Sequence, residues 1–301
     1  MGKSQTIDTK RELISTDLSC CQRMKLILSP IQKYETIVDG NNAKTAITIS
    51  PEAFRMLFYI GFIIFTAIAM VTTILFSDGF DINDNVLKDR YGAVSICIFY
   101  DFPPFSHFGA TLWLPNVFLI DIYLIFDLFR VHDAFHEGQL GNCFYRCYCV
   151  VTMFELFAFS FFLQITATDP MESMYWHSIP YVLFMFAQWT LAFKHVVWFF
   201  KTGVIRKHSR CTFYIGCIYM ILMFIAVFGQ ISYIVPNLFE AELWKINGLE
   251  WTPTYMGYSL RVYTFLTMIA PLFIYSFLAE EIETVVMTID RESGRHWVRI
   301  Q

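Results

Sequence analysis

The sequence predicts an all-α, polytopic membrane protein with six transmembrane helices and both termini cytosolic. Three observations carry this. Of 301 residues, 56% are hydrophobic and only 16% charged, with a mean hydropathy of +0.47, whereas soluble domains average about 25% charged residues. Six segments approach the ~20 apolar residues needed to cross a hydrocarbon core. Finally, lysines and arginines fall unequally between the two sets of connecting loops, which fixes orientation because they accumulate on the cytosolic side.

In chain order, residues 1–53 are polar, lack an apolar signal-peptide core, and are expected to form a cytosolic, disordered tail. A membrane domain over 54–280 follows, with spans at Met56–Phe76, Phe108–Phe129, Tyr148–Thr168, Ser178–Phe200, Thr212–Val235 and Tyr258–Leu278. The second span contains Pro115, Asp121 and Asp127, residues that lipid tolerates where neighbouring helices cover them. Residues 281–301 form a cytosolic C-terminal tail. On this assignment seventeen basic residues lie on the side of the termini and four in the other loops, with Lys194 inside a span. The first exoplasmic loop is acidic, carrying Asp78, Asp81, Asp84, Asp89 and Asp101.

The eight cysteines follow the same partition. Cys97 alone is exoplasmic and has no evident partner, so no disulfide framework is expected. Cys20, Cys21, Cys143, Cys147 and Cys149 are juxtamembrane and are palmitoylation candidates, although reduced cytosolic thiols are the plainer reading. The sequence has no Asn-x-Ser/Thr sequon in the exoplasmic loops, no GxxxG in a span, no phosphate-binding glycine loop and no GxSxG elbow. Nothing in it points to nucleic acid or to a cofactor.

The third span, VTMFELFAFSFFLQI from Val151 to Ile165, contains a glutamate. A charge at mid-membrane costs roughly 2.5 kcal/mol or more unless it is paired. Glu155 is nine residues from Arg146, roughly 13 Å into the bilayer at 1.5 Å per residue. Lys194 in the fourth span is seven residues from Lys201, roughly 10 Å in from the same side. Spans three and four are joined by a short loop and should be antiparallel neighbours, so an ion pair between Glu155 and Lys194 is expected. Asp121 and His195 are placed in the same buried polar cluster. Functional and purely structural readings of the cluster stand level. His177 opens span four at the opposite interface, in an aromatic belt with Tyr175 and Trp176.

The glutamate in span three, the acidic loop and His177-Ser178 with Phe184 behind it resemble the post-GPI-attachment factors of the Frag/DRAM/Sfk superfamily. The stretch KINGLEWTPTYMGYS before span six and FIYSFLAEEIETVVMTI at its end resemble the damage-regulated autophagy modulators of the same superfamily. The resemblance implies a six-helix fold and an endomembrane protein of the Golgi or ER, with lysosome or plasma membrane as alternatives. It also implies action in membrane-lipid organisation, foremost GPI-anchor lipid maturation. Its partners would be membrane lipids, including a GPI glycolipid, or other membrane proteins, with Glu155, His177, Lys194, Asp121 and His195 engaging them. The alternative within the family is a non-enzymatic autophagy modulator.

A third reading, a metal-dependent membrane lipid hydrolase, rests on His132-Asp-Ala-Phe-His136. These histidines at i and i+4 would share a helix face, but zinc hydrolysis needs three protein ligands and a water, and the sequence offers no well-placed third. The tetrapeptide Tyr34-Glu-Thr-Ile37 has the form of a tyrosine-based sorting signal.

Overall fold

The computed structural model describes residues 29–39, 42–85, 87–88, 96–168, 173–202, 210–238, 260–271, 285–290 and 296–300. Long helices follow the apolar segments. They are α1 (Pro51–Phe76), α3 (Phe105–His136), α4 (Asn142–Phe161), α6 (Met174–Thr202) and α7 (Arg210–Leu238), with short α2 (Ile98–Asp101) and α5 (Leu163–Ala167) between them. The last helix, α8 (Leu260–Ile269), includes a π-helical turn over Phe265–Ile269. Four helical segments, Pro51–Phe76, Phe105–His136, Asn142–Thr166 and Phe213–Val235, are long and apolar enough to cross a membrane. The 29 residues of α6 are also long enough, at roughly 43 Å, but Gln188, Lys194 and His195 interrupt its apolar run.

The helices start and stop where the sequence lets them. Proline at the first position of α1 suits a helix start, because its missing N–H would have no intrahelical acceptor there. Helix α3 runs well past the expected span end, to His136, and closes at Gly138, whose φ of 75° is the left-handed conformation glycine adopts without strain.

Packing is sequential and closes on itself: α1 lies on α3, α3 on α4, α4 on α6, α6 on α7, and α8 touches both α7 and α1. At the α1–α3 contact, Gly61 gives buried Asn116 room; a Cβ at 61 would collide with the Asn116 carboxamide oxygen. The core is strongly aromatic. Trp113 lies 4.8–6.1 Å, ring centre to ring centre, from Phe58, Phe62, Phe65, Phe162 and Phe184. Such edge and tilted contacts add dispersion and quadrupole attraction in a medium that supplies no hydrophobic drive of its own.

The membrane part is helical, as expected, but the tails are not featureless. Residues 31–49, expected to belong to a disordered tail, form a hairpin of β1 (Ile31–Asp39) and β2 (Asn42–Ile49). The C-terminal tail contributes β3 (Val285–Asp290) and β4 (His296–Ile300), and the four strands make one antiparallel sheet in the order β1-β2-β3-β4. Its register aligns Tyr34, Ile47, Met287 and Val298 in one row. The physical reason is local. Both tails hold runs with β-branched residues, and the first hairpin is split by Gly40-Asn41 between Asp39 and Asn42, a composition suited to a tight turn. Only Ser50 separates β2 from α1, and β4 touches α3, so the sheet sits at one end of the bundle.

Candidate functional site

Most of the charged residues buried in the bundle gather in a layer near the sheet end. Lys194 is at its centre, 4% exposed, while Glu155 is fully buried. The ammonium lies 2.6 Å from Glu155 Oε2 and 3.2 Å from Asp127 Oδ2, and donates to Thr152 Oγ1 at 2.7 Å. The Tyr148 ring covers it at 4.6 Å. A lysine ammonium has three N–H bonds, and here three acceptors meet it. The expected Glu155–Lys194 pair is therefore present, and it is part of a larger network.

That network alternates in sign. Asp127 also binds Arg130 one helical turn on, and its Oδ2 accepts from the Tyr148 hydroxyl at 2.8 Å. Arg130 stacks its guanidinium over Trp198 at 4.5 Å. On the α1 side, buried Arg55 pairs with Glu52 and reaches the Tyr123 hydroxyl at 3.3 Å. Arg55 also lies 3.1 Å from His195 Nδ1. A guanidinium has no lone pair to offer, so the imidazole accepts through Nδ1 and is neutral in this arrangement. Three acids, Glu52, Asp127 and Glu155, thus face three bases, Arg55, Arg130 and Lys194. Balance of this kind is what a low-dielectric interior requires, since an unpaired charge there is costly.

Asp121 is not in this layer. It lies six residues before Asp127 on α3, only partly buried, beside the Ser160 hydroxyl. Matching depth alone placed it with Glu155; helix rotation puts Asp127 in that role instead. Sequence shows Asp127 only as an interruption of the second span, and does not place Arg55 or Glu52 in the cluster. For Asp127 the signal was the i, i+3 spacing to Arg130 and, across helices, a second acid for the lone intramembrane lysine.

His177 stands at the other end of the bundle, 2% exposed, with Nδ1 3.5 Å from Asp101 Oδ1 of the short helix α2. Neighbouring contacts anchor α2: Thr66 Oγ1 meets the Tyr100 hydroxyl at 2.8 Å, and Thr73 Oγ1 donates to the Phe99 carbonyl at 2.8 Å. Burial pushes the Tyr100 phenol far above the usual tyrosine range. Tyr175 and Trp176, by contrast, are exposed, as a belt would require. The interfacial histidine is thus buried and partnered.

His132 and His136 do share a face, with ring centres 4.3 Å apart, and His132 Nδ1 is 3.0 Å from the Tyr145 hydroxyl. Among the described residues no group of three or more His, Cys, Asp or Glu is arranged to hold a metal ion. Cys143 and Cys147 are exposed and Cys149 is half-buried, whereas Cys20 and Cys21 lie outside the described residues, as does the KINGLEWTPTYMGYS stretch.

Comparison with protein-family models, with curated proteins and with solved structures gave no match.

Proposed function

We propose that this chain is a six-span endomembrane protein with cytosolic termini that acts, without catalysis of its own, in membrane-lipid organisation, with GPI-anchor lipid maturation as the process. The observation that carries the non-catalytic part is the enclosure of Lys194. Its ammonium donates to Asp127 and Thr152 and pairs with Glu155 at 2.6 Å inside the bundle, which leaves neither it nor Glu155 poised toward a substrate. Catalytic acids and bases need a reacting proton within hydrogen-bond reach; here Glu155 has Lys194 instead.

The topology rests on the sheet. Strands β2 and β3 are hydrogen-bonded partners, and two tails that pair lie on one side of a bilayer, which requires an even number of crossings. With α6 added to the four long apolar segments, and with the apolar segment expected over Tyr258–Leu278, of which α8 is the described part, the count is six. The distribution of lysine and arginine favours the cytosol for the sheet side.

The specific process comes from the resemblance through Glu155, paired with Lys194 of another helix, and His177, whose Nδ1 lies 3.5 Å from the Asp101 carboxylate. Deleting the gene in its own organism and measuring surface retention of GPI-anchored proteins together with autophagic flux tests it. Loss of retention with normal flux is expected. Normal retention with lost flux would transfer the protein to the autophagy-modulator reading, and its lysosomal or plasma-membrane location would follow.

A further inference from the structure

The exposed cysteines of α4 occupy a position that the ionic layer does not explain. Cys143 and Cys147 are one helical turn apart, and both are exposed. With 100° between residues, positions 143, 147, 150, 154, 157 and 161 share a helix face, on which Phe154 is half-buried against Phe186 of α6. Deeper on or beside that face lie Val150 (70% exposed), Met153 (60%) and Phe157 (55%), with Phe157 stacked on Phe161 at 5.2 Å. The opposite face of the same helix is locked into the bundle by Tyr148, Thr152 and Glu155. The helix therefore cannot roll to bury its thiols. The remaining described cysteines lie elsewhere: Cys149 is half-buried one residue from buried Tyr148, Cys97 is buried at the far end, and Cys217 lies within α7.

We infer that Cys143 and Cys147 form a paired S-acylation site whose long-chain acyl groups lie along the apolar stripe of α4. The stripe runs from Cys147 to Phe161, roughly 21 Å at 1.5 Å per residue, which exceeds one leaflet's ~15 Å share of the hydrocarbon core. A chain attached at the membrane boundary therefore meets protein surface along the whole leaflet. In the reaction the cysteine sulfur attacks the carbonyl carbon of a long-chain acyl coenzyme-A thioester. The new carbon–sulfur bond to the protein replaces the one to the donor, whose thiolate leaves and takes up the cysteine's proton, so nothing is oxidised or reduced. The side of the membrane on which the donor is found rests on the topology proposed above.

The test is acyl exchange on the full-length protein expressed in cells: free thiols are blocked, thioesters are cleaved with hydroxylamine, and each released thiol receives a polyethylene-glycol maleimide that shifts the band. Changing Cys143→Ser and Cys147→Ser together should remove two mass tags, each single change one, and Cys149→Ser none. A double variant that loses fewer than two tags, or an unaltered chain without hydroxylamine-dependent tags, overturns the site. Monodispersity in detergent checks that each variant is folded. Tagging released thiols in sealed vesicles with an impermeant maleimide reads sidedness separately, so a wrong topology and an absent acyl site give different results.

Discussion

The ionic layer at the sheet end and the aromatic cluster around Trp113 solve the same packing problem in different ways. In the cluster each ring touches several others, so the attraction is spread over many small terms. In the layer each charge has few partners, and the loss of one leaves another stranded in a poor solvent. Redundant contacts set how much stability there is. Paired charges determine which helices are neighbours, because a wrong neighbour leaves a charge alone.

The largest effect should follow Lys194→Met, which strands Glu155 outright and removes one of the cations holding Asp127. Breaking a buried pair costs about 3–5 kcal/mol, and folded yield by fluorescence-detected size exclusion should collapse. Adding Glu155→Gln should restore much of it, because the pair is then lost as a unit. Equal yields for the single and double variants would deny the layer its pairwise character. Complementation of the gene deletion by the recovered double variant would mark the pair as structural.

Trp113→Ala opens a cavity among five phenylalanines and should cost up to about 3–5 kcal/mol. No second substitution of a neighbouring ring should rescue it, in contrast to the lysine. Gly61→Val forces the Asn116 side chain away from α1 and should cost about 1–3 kcal/mol, read as a lower thermal-aggregation midpoint. The smallest effect is expected for Asp121→Asn. It stands apart from the layer and is partly exposed, so the change should stay within about 0.5 kcal/mol; a loss as large as that of Lys194→Met would return Asp121 to the network.

These contrasts also explain what the sequence reveals. Span positions and the Glu155–Lys194 pair are legible because hydrophobic length and depth are one-dimensional quantities, countable along the chain. Asp121 misleads for the same reason: depth is visible in sequence, but which way a residue faces in a bundle depends on all of its neighbouring helices at once. Arg55 and Glu52 look like ordinary boundary charges until α1 is packed against α3 and α6. The β1–β2 hairpin is legible in principle, from the turn-forming Asp39-Gly40-Asn41 between runs that hold β-branched residues, but low hydrophobicity hides it in a chain dominated by lipid-soluble segments. Pairing of β2 with β3 is not legible locally, because its partners lie at opposite ends of the sequence.

That pairing gives the protein a clock. Ile49 is synthesised long before Val285, its partner across the ladder. Throughout synthesis and insertion, one edge of β2 is left with open hydrogen-bonding groups, the feature that invites pairing with other chains. It is covered only once β3 has been made and has emerged beside it. A chain stopped short of residue 285 would keep that edge of β2 uncovered, open to pairing with other chains.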